Sequence, residues 1–160
     1  MKQIFESDRI RFVEITEALI PDYLIMVNDL ENVEKYLGGP HEPYTEAQEI
    51  EWVQTNLREK NPVFSMIEKK SGEFIGNIEL MNVKDAVGEL GIAITAGKQN
   101  LGFGTEAITA LKIYAVNRMG LNRIFLRVFP DNARAIRVYE KCGFSEYDRT
   151  ESDVFMETAL

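Results

Sequence analysis

Gln99-Asn100-Leu101-Gly102-Phe103-Gly104-Thr105 sets two glycines directly before a run with helical spacing. Glycines at such a junction let the backbone approach a ligand closely, and the unpaired amides of a helix start point at it. The guest they suit is a phosphate or pyrophosphate, although a plain loop-to-helix turn has the same residues. Gly102-x-Gly104-x-x-Ala107 satisfies the dinucleotide fingerprint in form, but residues 119–127 lack the acid that should follow about 20 positions later. No Gly-Lys-Ser/Thr follows the loop, so it is not a Walker loop. Further on runs Asn132-Ala-Arg-Ala135-Ile-Arg-Val-Tyr139-Glu-Lys-Cys142-Gly143-Phe144. Tyr139 falls about two helical turns after Asn132, so the two project to nearly the same side. Cys142 has no histidine or acid motif beside it and reads as a buried thiol. A single histidine, His41, leaves little for a zinc site, and no metal is expected.

The two segments together, in this order, resemble the paired motifs of the GNAT N-acetyltransferase superfamily. Gln99-x-x-Gly102-x-Gly104 matches Gln/Arg-x-x-Gly-x-Gly/Ala, and Asn132 to Phe144 matches Asn-x-x-Ala-x-x-x-Tyr-x-x-x-Gly-Phe. The resemblance covers nearly the whole chain and is nearest to the RimJ/RimL-like and spermidine acetyltransferase-like branches. It implies transfer of an acetyl group from acetyl-CoA to a primary amine by direct attack. It also implies that the backbone of Ile92, Ala93 and Ile94 pairs with the pantetheine arm. The pyrophosphate would meet the loop led by Gln99, through the amides of Asn100, Leu101, Gly102, Phe103, Gly104 and Thr105, with a further contact from Asn132. Members of the family often form homodimers.

Acyl transfer from a thioester needs a neutral amine, a stabilised carbonyl oxygen and a proton for the departing thiolate. Tyr139 is the candidate acid, in the role the resemblance gives that position, because a phenol of ordinary pKa about 10 is protonated at neutral pH. Glu89 is the candidate base. Strand alternation puts it on one face with Gly91 and Ala93, whose small side chains leave room beside it, and Leu90, Ile92 and Ile94 on the other. A carboxylate of ordinary pKa about 4.3 is a poor direct base for an ammonium, so relay through water is expected. The same position also suits a solvent-facing strand glutamate. Lys98, Arg134, Arg137 and Lys141 are candidates to attract phosphates, and Glu106 should face away from them.

These groups must be positioned by a mixed α/β fold. Residues 9–15 read as a strand, and Glu17 to Asn28 as an amphipathic helix with Thr16 as its cap. Residues 38–43 break the chain. Thr45 and Gln48 form a capping-box pair opening a helix over 46–59. Strands over 62–68, 73–81 and 87–95 are joined by turns short enough for antiparallel hairpins. A helix over 104–119, a strand over 122–129, a helix over 133–141 capped by Asn132 and stopped at Gly143, and a hairpin turning near 150–153 complete the chain. The expectation is one GNAT domain spanning 1–160, a mostly antiparallel sheet of about seven strands flanked by four helices.

Composition narrows the partners. The 160 residues are 45% hydrophobic and 28% charged, as expected of a globular domain, with a net charge of −8. That charge argues against a broadly basic nucleic-acid surface and against a coat for anionic membranes. Yet residues 98–142 hold eight Lys or Arg against three Asp or Glu, while residues 1–60 hold six against thirteen. The basic segment coincides with both motifs and suits the anionic cosubstrate. The acidic flanks suit a cationic amine, with Glu31, Glu34 and Glu42 as candidates to meet it. Polyamines, a protein N-terminus and an aminoglycoside all fit. One cysteine, no apolar run of membrane length and no signal-peptide core point to the cytoplasm. A module that senses acyl-CoA without turnover is the alternative, and a pure binder would need neither Glu89 nor Tyr139.

Overall fold

The computed structural model describes residues 1–33 and 41–160. Eight strands form one sheet: β1 (Gln3–Glu6), β2 (Ile10–Glu14), β3 (Val63–Glu68), β4 (Phe74–Lys84), β5 (Val87–Ile94), β6 (Arg123–Val128), β7 (Ser145–Arg149) and β8 (Val154–Ala159). Their spatial order is β1-β2-β3-β4-β5-β6-β8-β7. Four α-helices accompany them: α1 (Ile20–Val27), α2 (Glu46–Glu59), α3 (Phe103–Met119) and α4 (Ala133–Lys141). This is the expected mixed α/β architecture with one strand more. β1 lacks the alternation that marks a strand because a register shift between Gln3 and Phe5 interrupts its pairing with β2. Ile4 and Phe5 consequently both pack on the core. Phe5 stacks between Phe12 and Tyr114, with ring centroids 4.2 and 4.5 Å away.

Local signals fixed several element ends. The Thr45 hydroxyl accepts from the Gln48 amide, and the Gln48 side chain accepts from the Thr45 amide, so α2 begins on the expected reciprocal cap. Asp85 and Ala86, at φ 53° and 63°, make the two-residue turn of the β4–β5 hairpin. Thr16 caps a 3-10 turn over Glu17–Leu19, which leads into α1 through Pro21. α4 opens on Asn132, whose side chain accepts from the Ala135 amide. Gly143, at φ 90°, follows its end.

The two faces of the sheet bury separate cores. One holds Phe12, Ile78, Leu80, Ile124 and Leu126 against Ile108 and Leu111 of α3. The other holds Val13, Val63 and Ile67 against Tyr23 of α1 and Val53 of α2. All neighbouring strands are antiparallel except β5 and β6. That parallel pair meets only from Val87 to Glu89 opposite Arg123 to Phe125. Both strands continue beyond, so the sheet divides there, and the division creates the site.

Candidate active site

A cavity of about 450 Å³ occupies the division between β5 and β6. β5 supplies its wall from Glu89 to Ile94, β6 and its exit supply Arg127 to Phe129, and the starts of α3 and α4 close its end. Thr95 N–H donates to the Ile75 carbonyl of β4 at 2.9 Å. Strand alternation therefore turns the polar backbone of Gly91 and Ala93 toward β4 and that of Ile92 and Ile94 toward the cavity. The Ile94 carbonyl already accepts from Gln99 Nε2 at 2.9 Å. The amides of Ile92 and Ile94 remain directed at the cavity.

The glycine loop forms one end of the cavity. Gly102, at φ 84°, is a conformation that a Cβ would strain, and it caps α3 without a side-chain acceptor. The first amides of α3 thus face the cavity without intrahelical partners. Gln99, Asn100, Gly102, Phe103, Gly104 and Thr105 all line the cavity, as do Ile92, Ala93, Ile94 and Asn132. Leu101 does not: its side chain is exposed and its carbonyl accepts from Arg9 at 3.1 Å. Glu106 faces away from the loop, held by Ser7 Oγ at 2.6 Å, the Arg9 amide at 2.7 Å and Arg9 Nε at 2.8 Å. Burial pushes its carboxyl up, but these donors outweigh burial and hold it below the ordinary range.

The basic segment contributes less free charge than its composition suggests. Lys98 lines the cavity, with its ammonium tied to Glu73 at 2.9 Å and Glu68 at 3.0 Å. Arg134 lines the mouth and donates to Gln99 Oε1 at 3.0 Å. Arg137 and Lys141 are exposed on α4 and are not among the lining residues. Neutral donors at the helix start and on β5 supply most of what an anionic guest would meet.

Tyr139 and Glu89 both line the cavity. Burial, with a smaller contribution from Cys142, pushes the Tyr139 phenol up to about 12, so it stays protonated across neutral pH. Glu89 is not the solvent-facing glutamate its strand position also allowed, for it is only 7% exposed. Its Oε1 accepts from Asn82 Nδ2 at 3.1 Å, and its Oε2 from Arg127 Nε at 3.3 Å. Neither donor stood out in the sequence. A register shift after Met81 leaves Asn82 at φ 51° beside Glu89, and Arg127 reaches it only through the β5–β6 pairing. Cys142 is buried, and burial pushes its thiol up, as suits a structural residue.

The proposed acceptor carboxylates are less concentrated here. Glu31 and Glu42 are exposed and neither lines the cavity, although Asn32 and Val33 do. Glu34 lies outside the described residues. Asn32 is drawn to the site by Gln99 Nε2, which donates to its carbonyl at 2.9 Å. No described helix is long and apolar enough to cross a membrane.

Comparison with known proteins now gives this site a setting. The family model described as an acetyltransferase (GNAT) domain matches residues 9–145. Spermidine N(1)-acetyltransferase of Vibrio cholerae serotype O1 is 25% identical over 133 residues, covering 81% of this chain and 76% of that protein. The uncharacterised N-acetyltransferase YoaA of Bacillus subtilis is 31% identical over 156 residues, covering 91% and 85%. Among solved structures, a spermidine N-acetyltransferase from Vibrio cholerae in complex with CoA and spermine superposes with a TM-score of 0.82 at 19% identity, covering 96% of both chains. An acetyltransferase of the GNAT family from Bacillus anthracis superposes with a TM-score of 0.83 at 19% identity, covering 96% of both chains. At such identities the structural likeness establishes the fold.

Proposed function

The chain belongs to the GNAT acetyltransferase family, whose members are N-acetyltransferases using acetyl-CoA, and from that premise we propose that it acetylates a cationic primary amine by direct attack. The observation carrying this proposal is that Tyr139 and Glu89 border the same cavity, at the point where β5 and β6 part. The cavity fits the cosubstrate: the α3 amides offer donors to a pyrophosphate, and the turned-out amides of Ile92 and Ile94 offer donors to an amide-bearing arm and a thioester carbonyl.

Each residue then has a task. Gly102 to Thr105 bind the phosphates through the backbone, and Asn132 and Gln99 hold the loop and helix ends around them. The Ile92 amide donates to the carbonyl oxygen as negative charge develops there. Tyr139 donates its proton to the departing thiolate sulfur and regains one from the new amide nitrogen. Glu89, held between Asn82 and Arg127, places a carboxylate beside the cavity and favours a cationic acceptor. The acidic segment containing Glu31, Glu34 and Glu42 extends that preference outward. The named activity of the Vibrio relative supports a polyamine among the candidate acceptors. The buried single thiol suits a cytoplasmic enzyme.

A thiol-release assay with acetyl-CoA and a panel of polyamines, peptide N-termini and aminoglycosides tests the proposal. Release stimulated by cationic amines is expected. Tight CoA binding without release for any amine would instead identify a sensor module, and a preference for anionic acceptors would remove the charge argument. Light scattering on the same sample reads the homodimer that family resemblance implies.

A further inference from the structure

β4 carries a second carboxylate on the face of the sheet that bears Glu89. Glu79 stands opposite Gly91 in the β4–β5 register, and Met81 stands opposite Glu89. Gly91, Met81 and Glu89 all line the cavity. A Cβ built on Gly91 would lie 3.2 Å from Glu79 Oε1, so the carboxylate lies over the one position between Glu89 and Ile94 that has no side chain. The two acids differ in how they are held. Both oxygens of Glu89 accept from strong donors, whereas no hydrogen bond or ion pair engages Glu79 among the described residues.

We infer that Glu79 is the proton acceptor for the amine, reached from the cavity through water across Gly91. The inference rests on the acetyltransferase proposal and assigns within it a task that Glu89 is poorly free to perform. In the step, the ammonium N–H bond breaks and its electron pair stays on nitrogen. The proton passes through water to a Glu79 oxygen, leaving a neutral amine and a carboxylic acid. The amine attacks the thioester carbonyl, the C–S bond breaks, Tyr139 protonates the thiolate and regains a proton from the new amide nitrogen, and Glu79 later returns its proton to solvent.

The electrostatic setting suits this task. Burial pushes the Glu79 carboxyl up, and the negative charge of Glu89 adds to that. Glu89 is itself countered by Arg127. Val63 of β3 and Gly91 of β5, the cross-strand neighbours of Glu79, carry no charge. A base is more effective the closer its pKa lies to the working pH.

The test is the pH dependence of kcat/KM for an amine that the unaltered protein acetylates, compared with Glu79→Gln and Glu79→Asp. Glu79→Gln should lower kcat/KM roughly 100-fold near neutral pH, and the deficit should shrink as pH approaches the pKa of the free amine. Glu79→Asp should keep the ascending limb at a reduced rate. CoA affinity, measured by calorimetry, reports that each variant is folded. A Glu79→Gln profile parallel to that of the unaltered protein, or full activity, overturns the role of Glu79 alone. Absence of thiol release by the unaltered protein with every amine removes the underlying acetyltransferase proposal.

Discussion

On the α3 side of the cavity the groups facing a ligand are backbone amides, fixed by a helix start and a left-handed glycine. On the β4 side stand carboxylates, Glu89 in the cavity wall and Glu79 behind it, fixed by cross-strand neighbours and by an arginine from β6. Backbone donors carry partial charge and are organised before any ligand arrives. Carboxylates carry full charge and change it with pH, so their neighbours decide what they do. In the proposed reaction the two sides divide the work: one side binds an anionic cosubstrate with little dependence on pH, and the other manages a proton.

The most severe way to probe that division is at the residue that serves both sides. Tyr139→Phe removes the proton donor without changing the shape of the cavity wall. It should lower kcat by about 10²–10⁴-fold while leaving CoA affinity within about threefold. Equal losses in both would turn Tyr139 into a binding residue and blur the two sides. Next in size is Gly102→Ala. A Cβ at φ 84° strains the loop, and its position lies 3.3 Å from Arg9 Nη2. About 1–2 kcal/mol of left-handed strain predicts roughly tenfold weaker acetyl-CoA binding by calorimetry. The pH profile for the amine should not move. If it does, the helix start also takes part in proton handling.

The same division explains which parts were legible in the sequence. The α3 side depends on local features: a glycine pair before a helix, a capping asparagine and a tyrosine two turns later. Gln99, Gly102, Asn132 and Tyr139 could therefore be named from spacing and resemblance, and only Leu101 among the loop residues falls outside the cavity. The other side depends on pairing between distant strands. Alternation placed Glu89 with Gly91 and Ala93, but Arg127 and Glu79 join them only through the β5–β6 and β4–β5 registers, which are not encoded in neighbouring residues. Charge counting misled for a related reason. Arg127 and Lys98 belong to the basic segment, yet Arg127 is bound to a carboxylate of β5 and Lys98 to carboxylates at the end of β3 and just before β4. Segment composition cannot tell a charge offered to a ligand from one already paired.

Arg127→Gln sharpens the comparison at the point where the two sides meet. The change leaves Glu89 without its cation, so the field of Glu89 on Glu79 grows and the Glu79 carboxyl is held still higher. The ascending limb of kcat/KM for the amine should move to higher pH, by less than about one unit because Arg127 is more than half exposed. CoA affinity should be unaffected. An unchanged limb would mean that the charge of Glu89 does not reach Glu79.

The smallest expected effect is thermodynamic, and Glu79 should show it where Tyr139 does not. Folding raises the Glu79 carboxyl, so the unfolded chain gives up this proton at a lower pH than the native protein does. Its contribution to stability is complete below the unfolded pKa and is lost as pH rises through the folded value. Glu79→Gln, neutral at every pH, should therefore raise Tm at pH 8, by about 2–4 °C for each kcal/mol recovered in a chain of this size, and leave it unchanged at pH 4. Tyr139→Phe has no such signature, because a phenol raised to about 12 stays protonated over the same range. A Tm gain at pH 8 accompanied by lost activity would mean that the protein keeps a buried carboxylate at a cost in stability for the sake of its chemistry. Without that gain, Glu79 would be solvated as an ordinary surface acid, and its proposed task as proton acceptor would be lost.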